Sequence, residues 1–347
     1  METVEHVVIG AGPAGLRAAQ VLAEAGREVL VLEKNPEVGP KTCAGGLTRK
    51  AVAELASLGL PAGLGLESVG HVAFTGGAAA RPLDAAASLV RTIPRRDLGA
   101  LQLAWTRRAG AEVRSAVAGT RLDLTSRTLL AGDRTIGYRH LVGADGADSA
   151  VRRALRLPHV RAYFAAEYNV PGLRLEPLRV ECDPGALANG YFWVFPHEQY
   201  TSIGAVAPKR LVAPGVLRRY LTGRAQALGI DVGATPFEGA TLEVQFAGFD
   251  FPGGVHLVGD AAGVPSSLTA EGIYSALVTG EETARRILEP GWPSPKTASW
   301  LRVKRAHDRL AAALRYRWAR DLLLAGLGRL AAWNAGSRRM SAWFLNG

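Results

Sequence analysis

His6-Val-Val-Ile-Gly-Ala-Gly-Pro-Ala-Gly15 is the stretch that decides the fold. The apolar run His6 to Ile9 predicts a strand, the glycines at 10, 12 and 15 a turn, and the spacing from Ala14 to Ala25 a helix, ended by Gly26. A glycine pattern is weak alone, but between a strand and a helix it reads as a dinucleotide-binding turn. Gly10 allows the tight turn, Gly12 lets a pyrophosphate approach the backbone, and Gly15, next to Ala14, lets the helix pack closely. The helix N-terminus adds free N–H groups and positive dipole. Arg27 to Leu32 predicts a second strand buried on both faces. Glu33 at its end, followed by Lys34, is placed to accept from a ribose hydroxyl and to repel a 2′-phosphate, which disfavours NADP at this site.

The 347 residues, 48% of them hydrophobic, suffice for two or more lobes folding around one ligand. Met1 to His6 carry two glutamates and lead straight into the apolar strand, so no export signal is expected. No window approaches the ~20 apolar residues of a membrane span, because Arg329 interrupts the apolar tail Leu322 to Trp333. Cys43 and Cys182 stand apart and outside any Cys/His cluster, which indicates neither a disulfide framework nor a metal site and fits a reducing cytoplasm. The net charge of +10 is local: from Ala298 to Gly347 ten Lys/Arg stand against Asp308 and Asp321, leaving only +2 for the rest. Interleaved with Trp300, Trp318, Trp333, Trp343 and Phe344, this segment is either a solvated helical face or a contact for the inner face of an anionic membrane. No nucleic-acid-binding motif accompanies it.

Further along, Asn35 to Thr48 is a polar, glycine-rich loop, Arg49 to Leu58 a helix, and Pro94 to Ala109 another, through Leu98, Leu101 and Trp105. Short strands are expected at Glu112–Val117, which includes Val117, at Arg121–Leu124 and Thr128–Leu130, and at His140–Val142. From about Ala162 to Val244 alternating strands with one helix near Pro214 to Leu228 indicate a mostly antiparallel lobe, after which Val255 to Val258 returns to the parallel type. The expected architecture is therefore α/β. A discontinuous Rossmann-like domain (1–60, 93–160, 245–290) carries a mostly antiparallel substrate domain (61–92, 161–244) and a C-terminal basic helical segment (291–347).

Two later segments, Gly143-Ala-Asp145-Gly146 and Gly259-Asp260-Ala-Ala-Gly263, each place an acid and glycines just after an apolar strand. They resemble the second and third FAD fingerprints of the flavoprotein hydroxylase and reductase superfamily. Arg95, with Leu98 three residues on and Gln102 beyond, resembles that superfamily's Arg-x-x-Leu/Phe flavin contact. The resemblance implies FAD as cofactor, Asp260 at its ribityl or pyrophosphate part, and a helix beginning near Gly272-Ile273 whose positive end meets the flavin and favours its reduced, anionic form.

Lys41-Thr-Cys43-Ala44-Gly45-Gly46-Leu47 stands where geranylgeranyl reductases carry a Cys-Gly-Gly loop beside the flavin, and Tyr191-Phe-Trp193-Val-Phe195-Pro196 resembles their Pro-x-x-Tyr-x-Trp-x-Phe-Pro signature, with Ala188 in place of the leading proline. Strand alternation puts Tyr191, Trp193 and Phe195 on one face, a wall suited to a long apolar substrate. The resemblance implies hydride transfer from reduced FAD to a double bond of a polyprenyl lipid, with Cys43, Tyr191, Trp193 and the nearby His197 as candidates for positioning or proton delivery; His197 reads as a solvated turn residue. The electron donor stays open among ferredoxin, a quinol and NADPH. An FAD-dependent monooxygenase of an aromatic, quinone or polyene substrate fits the three FAD motifs equally, and a flavin-binding protein without catalysis also uses them. A halogenase does not fit, since no lysine lies between Lys50 and Lys209 and Tyr191 and Phe195 replace two residues of the halogenase Trp-x-Trp-x-Ile-Pro stretch.

Overall fold

A computed structural model describes residues 1–74, 82–83, 89–159, 162–320 and 322. The chain runs β1 (Glu2–Ile9), α1 (Pro13–Glu24), β2 (Val29–Leu32), β3 (Gly46–Leu47), α2 (Arg49–Ser57), β4 (Leu66–Phe74), β5 (Pro82–Leu83), β6 (Leu89–Thr92), α3 (Arg95–Arg108) and β7 (Glu112–Arg114). It continues through β8 (Arg121–Asp123), β9 (Thr128–Ala131), β10 (Arg134–Gly143), α4 (Ala150–Ala154), β11 (Ala162–Pro171), β12 (Leu178–Cys182), β13 (Tyr191–Pro196), β14 (Tyr200–Pro208) and α5 (Pro214–Ala227). It ends with β15 (Glu238–Glu243), β16 (Asp250–Phe251), β17 (Val255–Leu257), α6 (Gly259–Ala262), α7 (Ile273–Leu288) and α8 (Pro295–Ala313).

Among the described residues two sheets form. The eight-stranded sheet has the order β16-β17-β10-β1-β2-β7, with β9 attached to β10 and β8 to β9, and its β17, β10, β1, β2 and β7 run parallel. Such strands need crossovers, and α1 makes the first of them. Register then fixes the site. Ile9 stands beside Leu32 and Gly143, and Gly143 beside Leu257, so the segments that follow all four strands leave the sheet at one edge. That edge is where open α/β sheets bind ligands.

The nine-stranded sheet, order β15-β11-β14-β13-β12-β4-β6-β3 with β5 attached to β4, is antiparallel except for β12 against β4. Its β13 alternates as expected: Phe192 and Val194 pack into the core under α5, while Trp193 and Phe195 belong to a separate cluster with Val90, Val180 and Val206. β3 shows where the Cys43 loop goes, because Gly46 and Leu47 pair with Thr92 and Arg91 at the end of this second sheet.

The C-terminal segment departs from expectation. α8 begins at Pro295, and its Trp300 and Lys304 are buried instead of lying on a solvated face. Trp300 Nε1 donates to the Val264 carbonyl (2.9 Å), Lys304 Nζ to the carbonyls of Val244 (2.6 Å) and Pro265 (3.0 Å), and the Ser266 hydroxyl meets His307 Nδ1 (2.8 Å). α8 thus fastens the 264–267 backbone to the body of the protein. Trp318 is exposed, as the sequence suggests, whereas Trp333, Trp343 and Phe344 lie outside the described residues. No helix among the described residues is long and apolar enough to cross a membrane.

Candidate functional site

Two cavities meet at the sheet edge. The larger, about 640 Å³, is lined by the segments that follow β1, β2, β10 and β17 and by α3, within the ~300–1,000 Å³ typical of cofactor sites. Gly10, Gly12, Ala14, Glu33, Lys34, Arg95, Val117, Asp145, Gly146, Gly259 and Asp260 all line it. The three glycines differ in their surroundings. Gly10 has φ +102°, where only glycine is unstrained, and a side chain there would strike the Ala144 backbone. A Cβ on Gly15 would strike the Gly10 carbonyl, so that glycine lets α1 approach its own turn. A Cβ on Gly12 meets nothing within 4 Å; it would project into open space.

Glu33 is held more firmly than the sequence implies. Its Oε2 accepts from the Ala11 amide (2.8 Å) and its Oε1 from the Asn35 amide (2.9 Å), tying the end of β2 to the glycine turn. Each oxygen keeps a further lone pair for a ribose hydroxyl. Asp145 accepts the Ala150 amide on Oδ2 (2.6 Å), and burial pushes its carboxyl above the usual range. Its Oδ1 has no partner among the described residues, and neither do Arg95 Nε and Gln102 Oε1, which line the same cleft from one face of α3. Buried polar atoms without partners are few in native proteins, and each calls for an explanation. Three in one cleft, around an open glycine, fit a dinucleotide with its many hydroxyl and phosphate oxygens. Leu98 packs in the core and does not reach the cleft.

The smaller cavity, about 190 Å³, opens from the larger one. Pro13, Lys41, Arg95, Asp260 and Ala276 line both. Lys41 Nζ pairs with Asp260 Oδ2 (2.9 Å) at that junction. Cys43, Ala44, Gly272 and Ile273 line the smaller cavity only, together with Tyr191, Trp193 and Phe195. Gly272 is the N-cap of α7, as expected. Gly15 and Gly45 line neither cavity; Gly45 packs beneath the Cys43 loop against Ile93 and His197.

The Cys43 loop rests on a buried polar chain that no local pattern announces. The Cys43 amide donates to Glu167 Oε1 (2.8 Å), the Ser202 hydroxyl to Glu167 Oε2 (2.7 Å), and Trp193 Nε1 to Ser202 Oγ (2.9 Å). Burial raises the Glu167 carboxyl above its usual range. His197 is a correction to the sequence reading: it is buried, stacked on Tyr200 (4.2 Å), and held to the Ala44 carbonyl (3.0 Å) through Nε2. Burial lowers its pKa to about 4, so it is neutral at pH 7 and braces the loop. Glu167→Ala should leave the Cys43 amide and Ser202 hydroxyl unpaired, at about 1–3 kcal/mol for each. A lowered urea midpoint with unchanged m would register that loss; an unchanged midpoint would mean the loop does not depend on Glu167.

A family model described as "FAD binding domain" matches residues 3–211. Digeranylgeranylglycerophospholipid reductase 1 of Methanopyrus kandleri is 30% identical over 343 residues, covering 87% of this chain and 84% of that protein. Menaquinone reductase of Mycobacterium tuberculosis is 32% identical over 339 residues, covering 84% and 79%. A solved geranylgeranyl bacteriochlorophyll reductase-like protein from Thermoplasma acidophilum shares the fold, with TM-score 0.73 at 21% identity over 100% of this chain and 92% of that one. A solved probable FAD-dependent monooxygenase from Pseudomonas aeruginosa shares the fold as well, with TM-score 0.65 at 18% identity over 92% of this chain and 98% of that one.

Proposed function

The chain belongs to the FAD-binding flavoproteins of geranylgeranyl reductase type, and on that premise we propose that this FAD-dependent oxidoreductase saturates carbon–carbon double bonds of polyprenyl chains. The observation that carries this reading is the smaller cavity, an aromatic and aliphatic chamber joined to the dinucleotide cleft at Lys41, Arg95 and Asp260. Relatives named for a digeranylgeranyl phospholipid and for menaquinone, both lipids with isoprenoid chains, support the substrate class.

In this reading Gly10, Gly12, Glu33, Asp145 and Asp260 hold FAD, which when bound and reduced supplies a hydride. The first turn of α7, at Gly272 and Ile273, favours negative charge beside it. Tyr191, Trp193 and Phe195 clamp an isoprene unit and exclude water, and Cys43 and Ala44 line the same chamber. The Tyr191 hydroxyl donates to the Thr269 carbonyl (2.8 Å), which fixes its ring, and burial raises its pKa. Exposed Tyr316 and Trp318, stacked at 6.3 Å with Arg315 over Tyr316 at 4.5 Å, would meet an anionic membrane surface that supplies the lipid.

The test is anaerobic reduction with dithionite followed by addition of geranylgeranyl lipids. Reoxidation of the flavin with a product heavier by two hydrogens for each saturated bond is the expected result. Flavin that stays reduced until oxygen enters, then yields a hydroxylated product, would transfer the reading to the monooxygenase.

A further inference from the structure

The smaller cavity holds one carboxylate besides the junction residue Asp260, and it has a polar connection to solvent. Glu271 lies just before the N-cap of α7, with its side chain about 10% exposed. Its Oε1 accepts the Thr48 hydroxyl (2.7 Å), and its Oε2 pairs with Lys50 Nζ (3.1 Å). Thr48 and Glu271 both line the cavity that contains Cys43, Tyr191 and Trp193. Lys50 sits outside them, partly exposed, with its ammonium over the rings of Trp300 (4.4 Å) and Tyr274 (5.0 Å). The line from water to the apolar chamber is therefore Lys50 and then Glu271, whose carboxyl the Thr48 hydroxyl holds in place. The backbone around Glu271 is held as well, because the Ser266 amide donates to its carbonyl (3.1 Å) and α8 grips Ser266 through His307.

We infer that Glu271 delivers the proton that completes double-bond saturation, and that Lys50 restores it from solvent. This rests on the reductase reading above. As hydride bonds to one alkene carbon, the π bond breaks and its electron pair takes the proton directly from the Glu271 carboxyl, which itself lines the chamber. FAD ends oxidised and Glu271 ionised. The Lys50 ammonium then returns a proton to the carboxylate and is itself reprotonated by water. Tyr191 is less suited, since its hydroxyl proton is committed to the Thr269 carbonyl.

The charges around Glu271 support this role. Burial raises its carboxyl above the usual range, and Lys50 on α2 and the Thr48 hydroxyl oppose that rise. Tyr191 on β13 and Tyr274 on α7 feel its charge, Glu54 adds to the field at Tyr274, and His307 on α8 feels Lys50. A raised pKa keeps the acid form present at low pH, and it is lost as pH rises through that value. Alkene reduction should therefore carry a basic limb set by Glu271. Lys50→Met removes a lowering influence, so the limb should move to higher pH.

The experiment uses full-length protein with bound FAD, reduced by dithionite and mixed with a geranylgeranyl lipid. Glu271→Gln should slow lipid-dependent reoxidation by about 10²–10⁴-fold, the usual worth of a positioned acid. Reoxidation by ferricyanide and the flavin spectrum should not change, and Glu271→Asp should recover part of the rate. An independent readout needs no turnover: infrared titration of flavin-free protein should show a protonated-carboxyl band that is absent in Glu271→Gln and persists to higher pH in Lys50→Met. A Glu271→Gln enzyme as fast as wild type, a band that ignores Lys50, or a loss carried wholly by Cys43→Ala would overturn the inference. Wild-type flavin that no alkene reoxidises would instead take down the reductase reading, and this one with it.

Discussion

Gly12→Asp is expected to fold and to purify without FAD, whereas Gly15→Val, three residues along the same turn, is expected to lose the fold. A side chain on Gly12 meets nothing within 4 Å, so the apo structure accommodates it. It nevertheless occupies the place where a pyrophosphate must approach backbone N–H groups, and an aspartate there adds like charge. A loss of about 3 kcal/mol in binding, roughly 100-fold in Kd, is a conservative expectation. On Gly15 the new Cβ strikes the Gly10 carbonyl and crowds Ala144, so α1 must leave its seat. Overpacking of that kind costs about 1–3 kcal/mol even where neighbours yield, and here the neighbour is backbone. Flavin content by absorbance and melting temperature by circular dichroism separate the two outcomes. Gly12→Asp retaining stoichiometric flavin would show that the cofactor's phosphates lie elsewhere.

The second large effect concerns the C-terminal segment. Ending the chain at Pro290 should yield unstable, flavin-poor protein, while ending it at Leu314 should leave the flavin spectrum and melting temperature near those of the full chain. The first cut removes Trp300, Lys304, Thr297, His307 and Ala311, all buried, and with them the grip on 264–267. Loss of a buried tryptophan alone costs about 3–5 kcal/mol, against a total stability of about 5–15 kcal/mol. The second cut removes Tyr316 and Trp318, both exposed, and leaves α8 whole. It is therefore the cut that isolates membrane contact: it should weaken sedimentation with anionic vesicles, and equal binding by both chains would remove the tail from that role. A Pro290 truncation that kept its flavin and melting temperature would show the α8 clamp to be dispensable.

What the sequence disclosed and what it concealed divide along physical lines. Strands β1, β2 and β17 and helices α1, α5 and α7 could be read to within a few residues, because apolar periodicity reports which face of an element is buried and glycines report where it stops. That Gly12, Glu33, Asp145 and Asp260 would share one cleft was legible too, since all four sit at fixed positions after strands. The aromatic face of β13 was legible for the same reason. Hidden were the pairings between segments far apart in the chain: Cys43 with Glu167, Lys41 with Asp260, Lys50 with Glu271, Trp300 with Val264. A buried polar side chain looks like a surface one in a single sequence, which is why His197 and Lys304 read as solvated. The Ala-Glu-Gly-Ile stretch at 270–273 is the one signal for Glu271, an acid immediately before the helix that the family resemblance places at the flavin.

The unpartnered atoms of the larger cleft, Asp145 Oδ1, Arg95 Nε and Gln102 Oε1, have a consequence for the life of the chain in a cell. Each buried polar atom left alone costs about 1–3 kcal/mol, so FAD would return several kcal/mol on binding if, as proposed, it meets them. The cofactor would then be a late-arriving part of the interior, and stability would rise with its concentration above Kd. When flavin is scarce, unfilled chains would then open more often and be taken preferentially by quality-control proteases. The amount of this protein would then follow the supply of its own cofactor, with no dedicated regulator required.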